Sequence, residues 1–260
     1  MKDITNKSLQ EIIEKLKKKE ISSVELTKSY IDNIEKAKKL NTFITTTFDQ
    51  ALEKAKEFDK KPNFNQILPG VPLAVKDLFC TANVKTTAGS NILNNFIPTY
   101  ESTVTKNLWD SGAFLLGKLN CDEFAMGSSN ETSYFGNVIN PVKDELVPGG
   151  SSGGSSSALA AELTPATIGT DTGGSIRQPA SFTGTVGLKP TYGLCSRWGI
   201  VAFASSLDQA GPMTKTVGDC ALMLEAMSGF DEKDSTSIKK NKESYFKNLK
   251  DNIKGIKIGI

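Results

Sequence analysis

A stretch rich in glycine and serine, from Val147 to Gln178, holds most of the residues whose types could do chemistry. It reads VPGGSSGGSSSALAAELTPATIGTDTGGSIRQ, two Gly/Ser-rich turns separated by a segment that can form a helix and a strand. Glycine lets backbone N–H groups come close to a ligand, because no Cβ blocks the approach. Serine hydroxyls in such turns are exposed and rigidly placed. The two turns together predict an active site.

The chain contains no histidine, and this absence excludes more chemistry than any other count. It removes Ser-His-Asp and Cys-His catalysis, histidine general bases and most transition-metal sites. The cysteines are far apart and form no C-x-x-C pair, so we predict neither a metal site nor disulfides. They are Cys80, Cys121, Cys195 and Cys220. Acid–base chemistry must therefore use Lys, Asp, Glu, Tyr or Cys.

Two motifs within the stretch match known sites but lack a residue that those sites need. GGSSG, from Gly149 to Gly153, fits the G-x-S-x-G nucleophile elbow, which requires a histidine partner. Gly149 and Gly154 have the separation of a phosphate-binding P-loop, but Ser155 stands where the lysine should be. A P-loop-like nucleotide-binding module stays open only as a remote alternative.

A serine nucleophile activated by a lysine remains. The ordinary pKa of a lysine amine is about 10.4, so it acts as a base only when burial lowers that pKa to roughly 7–8. Lys76 is the best-placed candidate, since it follows the strand-like VPLAV and precedes DLF. It could equally be a strand-end lysine that reaches solvent. Lys118, inside LLGKLN, is the rival candidate on the same grounds.

Three segments carry a resemblance to a known family. GVPLAVKD, PGGSSGGSSSALAA and IGTDTGGSIRQPASFTGTVGLKPTYG resemble the amidase signature family of Ser–Ser–Lys hydrolases. The resemblance implies that Ser175 is the nucleophile, Ser151 the bridging serine and Lys76 the base. It also implies a cis peptide bond between Gly150 and Ser151.

The resemblance further implies what surrounds the nucleophile. Backbone N–H groups of the DTGGS turn would form an oxyanion hole, namely those of Thr172, Gly173 and Gly174. A substrate pocket would be lined by Met126, Gly127, Ser128 and Ser129, although the sequence alone allows a helix end and loop there. We predict that Arg177 braces the turn through Asp171. Ser152 and the serines at 155–157 are interpreted as helix-start residues.

Other segments, among them KLNCDEFAMGSSNETSYFGNVINP, resemble the glutaminase subunits of tRNA-dependent amidotransferases within that family. The resemblance implies hydrolysis of glutamine through an acyl-enzyme, with ammonia passing to two other amidotransferase subunits in a heterotrimer. A partner subunit would use ATP and Mg²⁺ to amidate glutamate on charged tRNA, and no cofactor is expected in this chain. A generic amidase acting on another small amide is the alternative.

Composition agrees with a globular enzyme. The chain has 260 residues, of which 38% are hydrophobic and 23% charged, and its net charge of +2 is too small to indicate nucleic-acid binding. No apolar run is long enough to cross a bilayer, and the N-terminus has no signal-peptide core. We expect a cytoplasmic protein, or an organelle-matrix protein if a targeting segment was removed, with no membrane partner.

Strand-like and helix-like segments alternate, which favours an α/β amidase signature fold with a mixed sheet covered by helices. We expect a helical N-terminal arm over residues 1–60, with capping boxes at Ser8 and Ser22 and a helix capped by Asp49. Residues 61–260 would be the N-terminal part of the catalytic domain. The chain ends on the strand-like IKGIKIGI and is expected to be truncated, with inactivity of the isolated chain as a further possibility.

Overall fold

The computed structural model describes residues 4–240, 243–249, 252–257 and 259, and it is built on one six-stranded sheet. The strands are β1 (Phe43–Thr46), β2 (Pro72–Lys76), β3 (Phe114–Leu119), β4 (Ala166–Asp171), β5 (Val186–Gly187) and β6 (Gln209–Thr214). Their order across the sheet is β1-β3-β2-β4-β6-β5. β2 runs parallel to β3 and β4, and the other pairs are antiparallel. The predicted mixed α/β sheet is confirmed.

Helices cover this sheet. They are α1 (Leu9–Lys17), α2 (Ser23–Lys36), α3 (Phe48–Lys60), α4 (Thr103–Asp110), α5 (Gly153–Ala160), α6 (Arg177–Thr183), α7 (Val217–Met227) and α8 (Tyr245–Asn248). Apolar side chains of α1, α2 and α7 share one buried cluster with those of β2, β3 and β4. No helix within the described residues is long and apolar enough to span a membrane.

The first two helices begin at capping boxes, as the sequence predicts. The Ser8 backbone N–H donates to the Glu11 carboxylate at 2.8 Å, and the Glu11 N–H donates back to the Ser8 hydroxyl at 3.2 Å. Ser22 and Glu25 repeat the arrangement at the start of α2. These hydrogen bonds satisfy donors that the first turn of a helix otherwise leaves unpaired.

Two local predictions are wrong. α3 begins at Phe48, so Asp49 lies in its first turn instead of capping it, because the preceding Thr47 is tied to β3 by a hydrogen bond to the Leu115 carbonyl at 3.0 Å. The closing segment IKGIKIGI forms turn and coil over the part that the structure describes, residues 253–257 and 259. Alternation of apolar residues does not make a strand without a partner to complete the backbone hydrogen bonds.

The topology brings three strand ends to one edge of the sheet. β2 and β4 are buried at every position, and they end at Lys76 and Asp171. β3, which is parallel to β2, ends at Leu119. Because the carboxyl ends of parallel strands share one edge, the loops that follow these strands meet there. The first Gly/Ser-rich turn, before α5, and the second, after β4, meet at this edge.

Lys118 on β3 is fully buried and has a structural role. Its Nζ donates to the Phe79 carbonyl and to the Thr86 hydroxyl, both at 2.7 Å, and lies 3.4 Å from the Asp77 carboxylate. Burial lowers the pKa of Lys118 and raises the pKa of Asp77, while their mutual attraction opposes both shifts. Lys118 thus ties β3 to the loop after β2, and the rival interpretation of it as the catalytic base is not supported.

We predict that Lys118→Met lowers the free energy of unfolding by about 3–5 kcal/mol, because it leaves the buried Asp77 carboxylate without its cation. Chemical denaturation of the natural full-length protein measures this. Lys106→Met is the matched control, since Lys106 pairs with Asp110 on the exposed face of α4 and should cost less than about 0.5 kcal/mol. Equal effects of the two substitutions would contradict the structural role of Lys118.

Candidate active site

Lys76, the last residue of β2, points its amine into a ring of hydroxyl groups. Its Nζ lies 2.7 Å from Ser151 Oγ, 3.0 Å from Ser152 Oγ and 2.9 Å from Thr170 Oγ1. The side chain is fully buried, and no carboxylate within the described residues forms an ion pair with it. The prediction that Lys76 meets Ser151 is confirmed, and the alternative of a solvent-reaching lysine is wrong.

Removal from water controls the charge of this amine. Burial lowers the pKa of Lys76 from its ordinary 10.5 to about 8, because the charged form loses its hydration. Acidic groups nearby offset part of the effect by favouring the cation. They are the carboxylates of Asp122, Asp171 and Asp208. A substantial fraction of the amine is therefore neutral near pH 8 and can accept a proton.

The hydroxyls around Lys76 are not equivalent. Ser152 Oγ donates its proton to the Thr170 carbonyl at 3.2 Å, so toward Lys76 it acts as an acceptor. The Ser151 hydroxyl has Lys76 as its sole hydrogen-bond partner among the described residues, so its proton is available for transfer. Sequence reasoning assigned Ser152 only to the helix start and missed Thr170. Ser152 does stand before α5, but its side chain caps no backbone N–H there.

The bridging serine is held by its backbone. The Gly150–Ser151 peptide bond is cis, as the family resemblance implies. The Gly150 N–H donates to the Gln178 side-chain oxygen at 3.0 Å, and the Ser152 N–H donates to the Ser175 carbonyl at 3.1 Å. These two bonds attach the first Gly/Ser-rich turn to the second.

The same bonds exclude the P-loop alternative. A P-loop cradles phosphate with free backbone N–H groups and a lysine. Here the N–H groups of Gly150 and Ser152 are engaged, and that of Gly154 donates to the Asn120 carbonyl at 3.1 Å. Ser155, not a lysine, directly follows Gly154.

Asp171 organises the turn that carries Ser175. Its buried carboxylate accepts hydrogen bonds from the Gly174 N–H at 2.8 Å and the Ile176 N–H at 3.1 Å. The Arg177 guanidinium adds two more, from Nε at 3.0 Å and Nη2 at 2.9 Å, so the predicted brace is confirmed. Burial raises the pKa of Asp171, but these hydrogen bonds outweigh burial and lower it overall. Asp171 is therefore an anion that fixes the turn.

The prediction that the Gly174 N–H belongs to the oxyanion hole is wrong. The Gly174 N–H is taken by Asp171 and is not available to a substrate. The N–H groups of Thr172, Gly173 and Ser175 donate to no residue in the part of the chain that the structure describes. A Cβ added at Gly173 or Gly174 would meet nothing within 4 Å, so the turn is open on this side. Thr172 and Gly173 stay candidates, and Ser175 joins them.

Ser175 faces an open pocket of about 400 Å³. The pocket is lined by Ala125, Met126, Gly127, Ser128, Gly150, Gly173, Gly174, Ser175, Gln178 and Phe203. Three of the four predicted substrate-binding residues are among them. Ser129 is not among them, although its backbone nitrogen would lie 2.8 Å from a Cβ added at Gly150. The sequence pattern gave no sign of Gln178 and Phe203, which reach the pocket from α6 and from a distant loop.

The Ser175 hydroxyl is half-buried and forms no hydrogen bond with any described residue, Ser151 included. The first link of the expected relay, from Lys76 to Ser151, is thus closed by a hydrogen bond, whereas the second is not. Catalytic hydrogen bonds commonly tighten when substrate binds. The site therefore combines a neutral-prone buried amine, a hydroxyl with a transferable proton and a free hydroxyl at a pocket wall.

Comparison with known proteins agrees with this geometry. Residues 25–260 match the Amidase family. The chain is 72% identical, over 260 residues, to the A subunit of glutamyl-tRNA(Gln) amidotransferase from Pelagibacter ubique, covering all of this chain and 54% of that protein. It is 57% identical to the protein of the same name from Caulobacter vibrioides, covering 99% of this chain and 54% of that protein. The chain thus spans about half the length of the curated relatives it matches.

Solved structures of related proteins show the same similarity. The corresponding glutamyl-tRNA(Gln) amidotransferase protein from Thermotoga maritima has 41% identity and a TM-score of 0.81, covering 93% of this chain and 51% of that one. The peptide amidase from Stenotrophomonas maltophilia has 34% identity and a TM-score of 0.87, covering 94% and 53%. The fold, the contacts of Lys76 with its ring of hydroxyls and these similarities lead to one conclusion: the chain belongs to the amidase signature family.

Proposed function

We propose that this chain carries the Ser–Ser–Lys centre of a glutaminase that serves as one subunit of a tRNA-dependent amidotransferase. The observation that carries the proposal is the 2.7 Å hydrogen bond between the fully buried Lys76 amine and the Ser151 hydroxyl. Among the residue types present, a lysine with a lowered pKa can replace the missing histidine as general base. The names of the relatives support the choice of substrate and complex.

The first half-reaction forms an acyl-enzyme. Neutral Lys76 takes the proton of Ser151, Ser151 takes that of Ser175, and the Ser175 oxygen attacks the side-chain amide carbon of glutamine. Free N–H groups of Thr172, Gly173 and Ser175 would receive the developing negative charge. Losing one such donor typically lowers the rate about 10²–10³-fold. The C–N bond then breaks, and the proton held on the relay goes to the leaving ammonia.

The second half-reaction hydrolyses the acyl-enzyme and regenerates the free enzyme. Water loses a proton to the relay and attacks the acyl carbon, and the Ser175 oxygen leaves with a proton, giving glutamate. Ammonia would pass to the two partner subunits, one of which uses ATP and Mg²⁺ to amidate glutamate on tRNA(Gln). We assign no cofactor to this chain and place the heterotrimer in the cytoplasm.

A second candidate is an amidase that acts on another small amide. None of the residues that line the described pocket is charged, so nothing in it pairs with the carboxylate and amine of glutamine. The similarity to a peptide amidase supports the same alternative. Steady-state rates on glutamine and on simple uncharged amides, measured with the natural full-length protein, separate the two. Preference for glutamine supports the glutaminase, and preference for an uncharged amide supports the alternative.

We predict that Ser175→Ala abolishes amide hydrolysis and leaves the unfolding midpoint unchanged, because the Ser175 hydroxyl has no structural hydrogen bond to lose. Release of ammonia and trapping of the acyl group by hydroxylamine measure the activity. Ser156→Ala is the control, since its hydroxyl bonds only the Gly153 carbonyl within α5, at 3.0 Å. Residual turnover by Ser175→Ala would remove Ser175 from the mechanism.

The pH dependence of kcat/KM should follow the charge of Lys76. Only the neutral amine accepts a proton, so the rate rises with pH to a plateau with its midpoint near pH 8, where the pKa of Lys76 lies. Measurement from about pH 6 to about pH 10 defines this curve. A rate that does not change over this range would show that the titration of Lys76 does not limit catalysis.

Lys76→Met should abolish activity and leave stability at neutral pH equal or higher, because no favourable charge is lost. In the wild type, the pKa of Lys76 is about 8 when folded and 10.5 when unfolded. Between these values the unfolded chain binds more protons, so wild-type stability rises with pH. We expect the free energy of unfolding of the wild type, minus that of Lys76→Met, to increase by about 3 kcal/mol across this window. A constant difference would mean that the amine is charged in the folded protein.

A further inference from the structure

Asp122, which follows β3, is fully buried and is attached to the pocket loop. Its carboxylate accepts hydrogen bonds from the Asn130 N–H at 3.0 Å and from the Thr132 hydroxyl at 3.0 Å, with the Thr132 N–H at 3.4 Å. Met126, Gly127 and Ser128, which line the pocket, lie between Asp122 and these partners in the chain. The carboxylate therefore closes the loop that forms one pocket wall.

The same residue touches the bridging serine. The Asp122 N–H donates to the Ser151 carbonyl at 3.3 Å. A Cβ added at Gly150 would lie 2.1 Å from Asp122 Oδ2, and one added at Gly127 would lie 2.3 Å from its Cγ. Both distances are far below van der Waals contact, so glycine is required at both positions. The carboxylate is wedged between the pocket loop and the cis peptide bond.

Asp122 also contributes charge. Its carboxylate is one of three that act on Lys76, together with those of Asp171 and Asp208. Asp171 shares its charge with Arg177, at 2.9 Å. Asp122 has no cationic partner among the described residues, since its carboxylate accepts only from neutral donors. Its negative charge therefore acts on Lys76 without a counter-ion of its own.

We propose that Asp122 is a positioning residue that couples the pocket loop to the bridging serine and holds a fixed negative charge near the Lys76 amine. This inference rests on the proposed Ser–Ser–Lys mechanism but not on the identity of the amide. It assigns the Asp122 side chain two separable effects: its tether to Asn130 and Thr132 shapes the pocket wall, and its charge favours the protonated amine.

Asp122→Asn in the natural full-length protein tests both effects. The amide keeps the shape but presents an NH₂ group to N–H donors, so we expect a higher KM and a roughly tenfold lower kcat. Loss of the negative charge should move the acid limb of the pH profile to lower pH by roughly 1 unit. A merely structural role would leave that midpoint unchanged.

Two variants separate the effects. Thr132→Val removes a hydroxyl tether and keeps the charge, so KM should rise at an unchanged midpoint. Asp219→Asn is the matched control, because the Asp219 carboxylate is also buried and also accepts a hydrogen bond from a backbone N–H, that of Gln10 at 3.1 Å. Asp219 contacts α1 and not the site. Asp219→Asn should change neither KM nor the pH midpoint. If Asp122→Asn does not fold, Thr132→Val still tests the tether. A KM equal to that of the wild type would overturn the tethering role of Asp122.

The pH midpoint is best read from the rate at which a fluorophosphonate phosphonylates the Ser175 oxygen with loss of fluoride, measured by mass spectrometry, because this reaction needs no glutamine. A lower midpoint in Asp122→Asn than in the wild type supports the inference. Equal midpoints overturn its electrostatic half, whatever the substrate. Labelling without glutamine hydrolysis overturns the proposed glutaminase and leaves this inference standing. No labelling of the wild type overturns both.

Discussion

The proposed catalytic centre depends on a lysine amine that is removed from water without receiving a carboxylate partner. Lys76 and Lys118 lie on neighbouring strands and are both fully buried, yet Lys118 lies 3.4 Å from Asp77, whereas Lys76 meets only hydroxyls. Hydroxyls can accept from an ammonium group and can also donate to a neutral amine. Such surroundings compensate the loss of hydration only in part, so the pKa falls toward the range where a base works. A carboxylate in the place of Ser151 would hold the proton on Lys76.

Close backbone approach makes this ring of hydroxyls possible. A Cβ at Gly169 would lie 2.7 Å from Ser152 Oγ, and one at Gly154 would lie 2.3 Å from the Asn120 carbonyl oxygen. α5 can therefore start directly against β4 and against the end of β3, which brings both serines before it to Lys76. Gly154, at the start of α5, thus serves contact within the protein, whereas Gly150 in the first turn and Gly173 in the second line the pocket. Glycine therefore has two different physical uses at this site.

The sequence was sufficient to predict the mixed sheet, the capping boxes, the cis peptide bond and the pairing of Lys76 with Ser151, because each depends on local chemistry or on a specific motif. It was not sufficient where contacts cross the fold. In the sequence Thr170 is an ordinary strand residue, and its contact with Lys76 depends on β4 lying beside β2. The sequence predicts that the Gly174 N–H is a free donor, but in the folded chain it donates to the Asp171 carboxylate. The buried state of Lys118 also needed the packed structure, since both lysines end similar apolar runs.

The pKa of the Lys76 amine, measured by NMR titration of lysine labelled with ¹³C at Cε, tests the central claim most directly. We expect one resonance to titrate near pH 8, well below the exposed lysines at about 10.4, and to disappear in Lys76→Met while the others remain. A resonance assigned to Lys76 that titrates with the exposed lysines would show that the amine is charged at working pH. The proton relay from Ser151 would then have no acceptor.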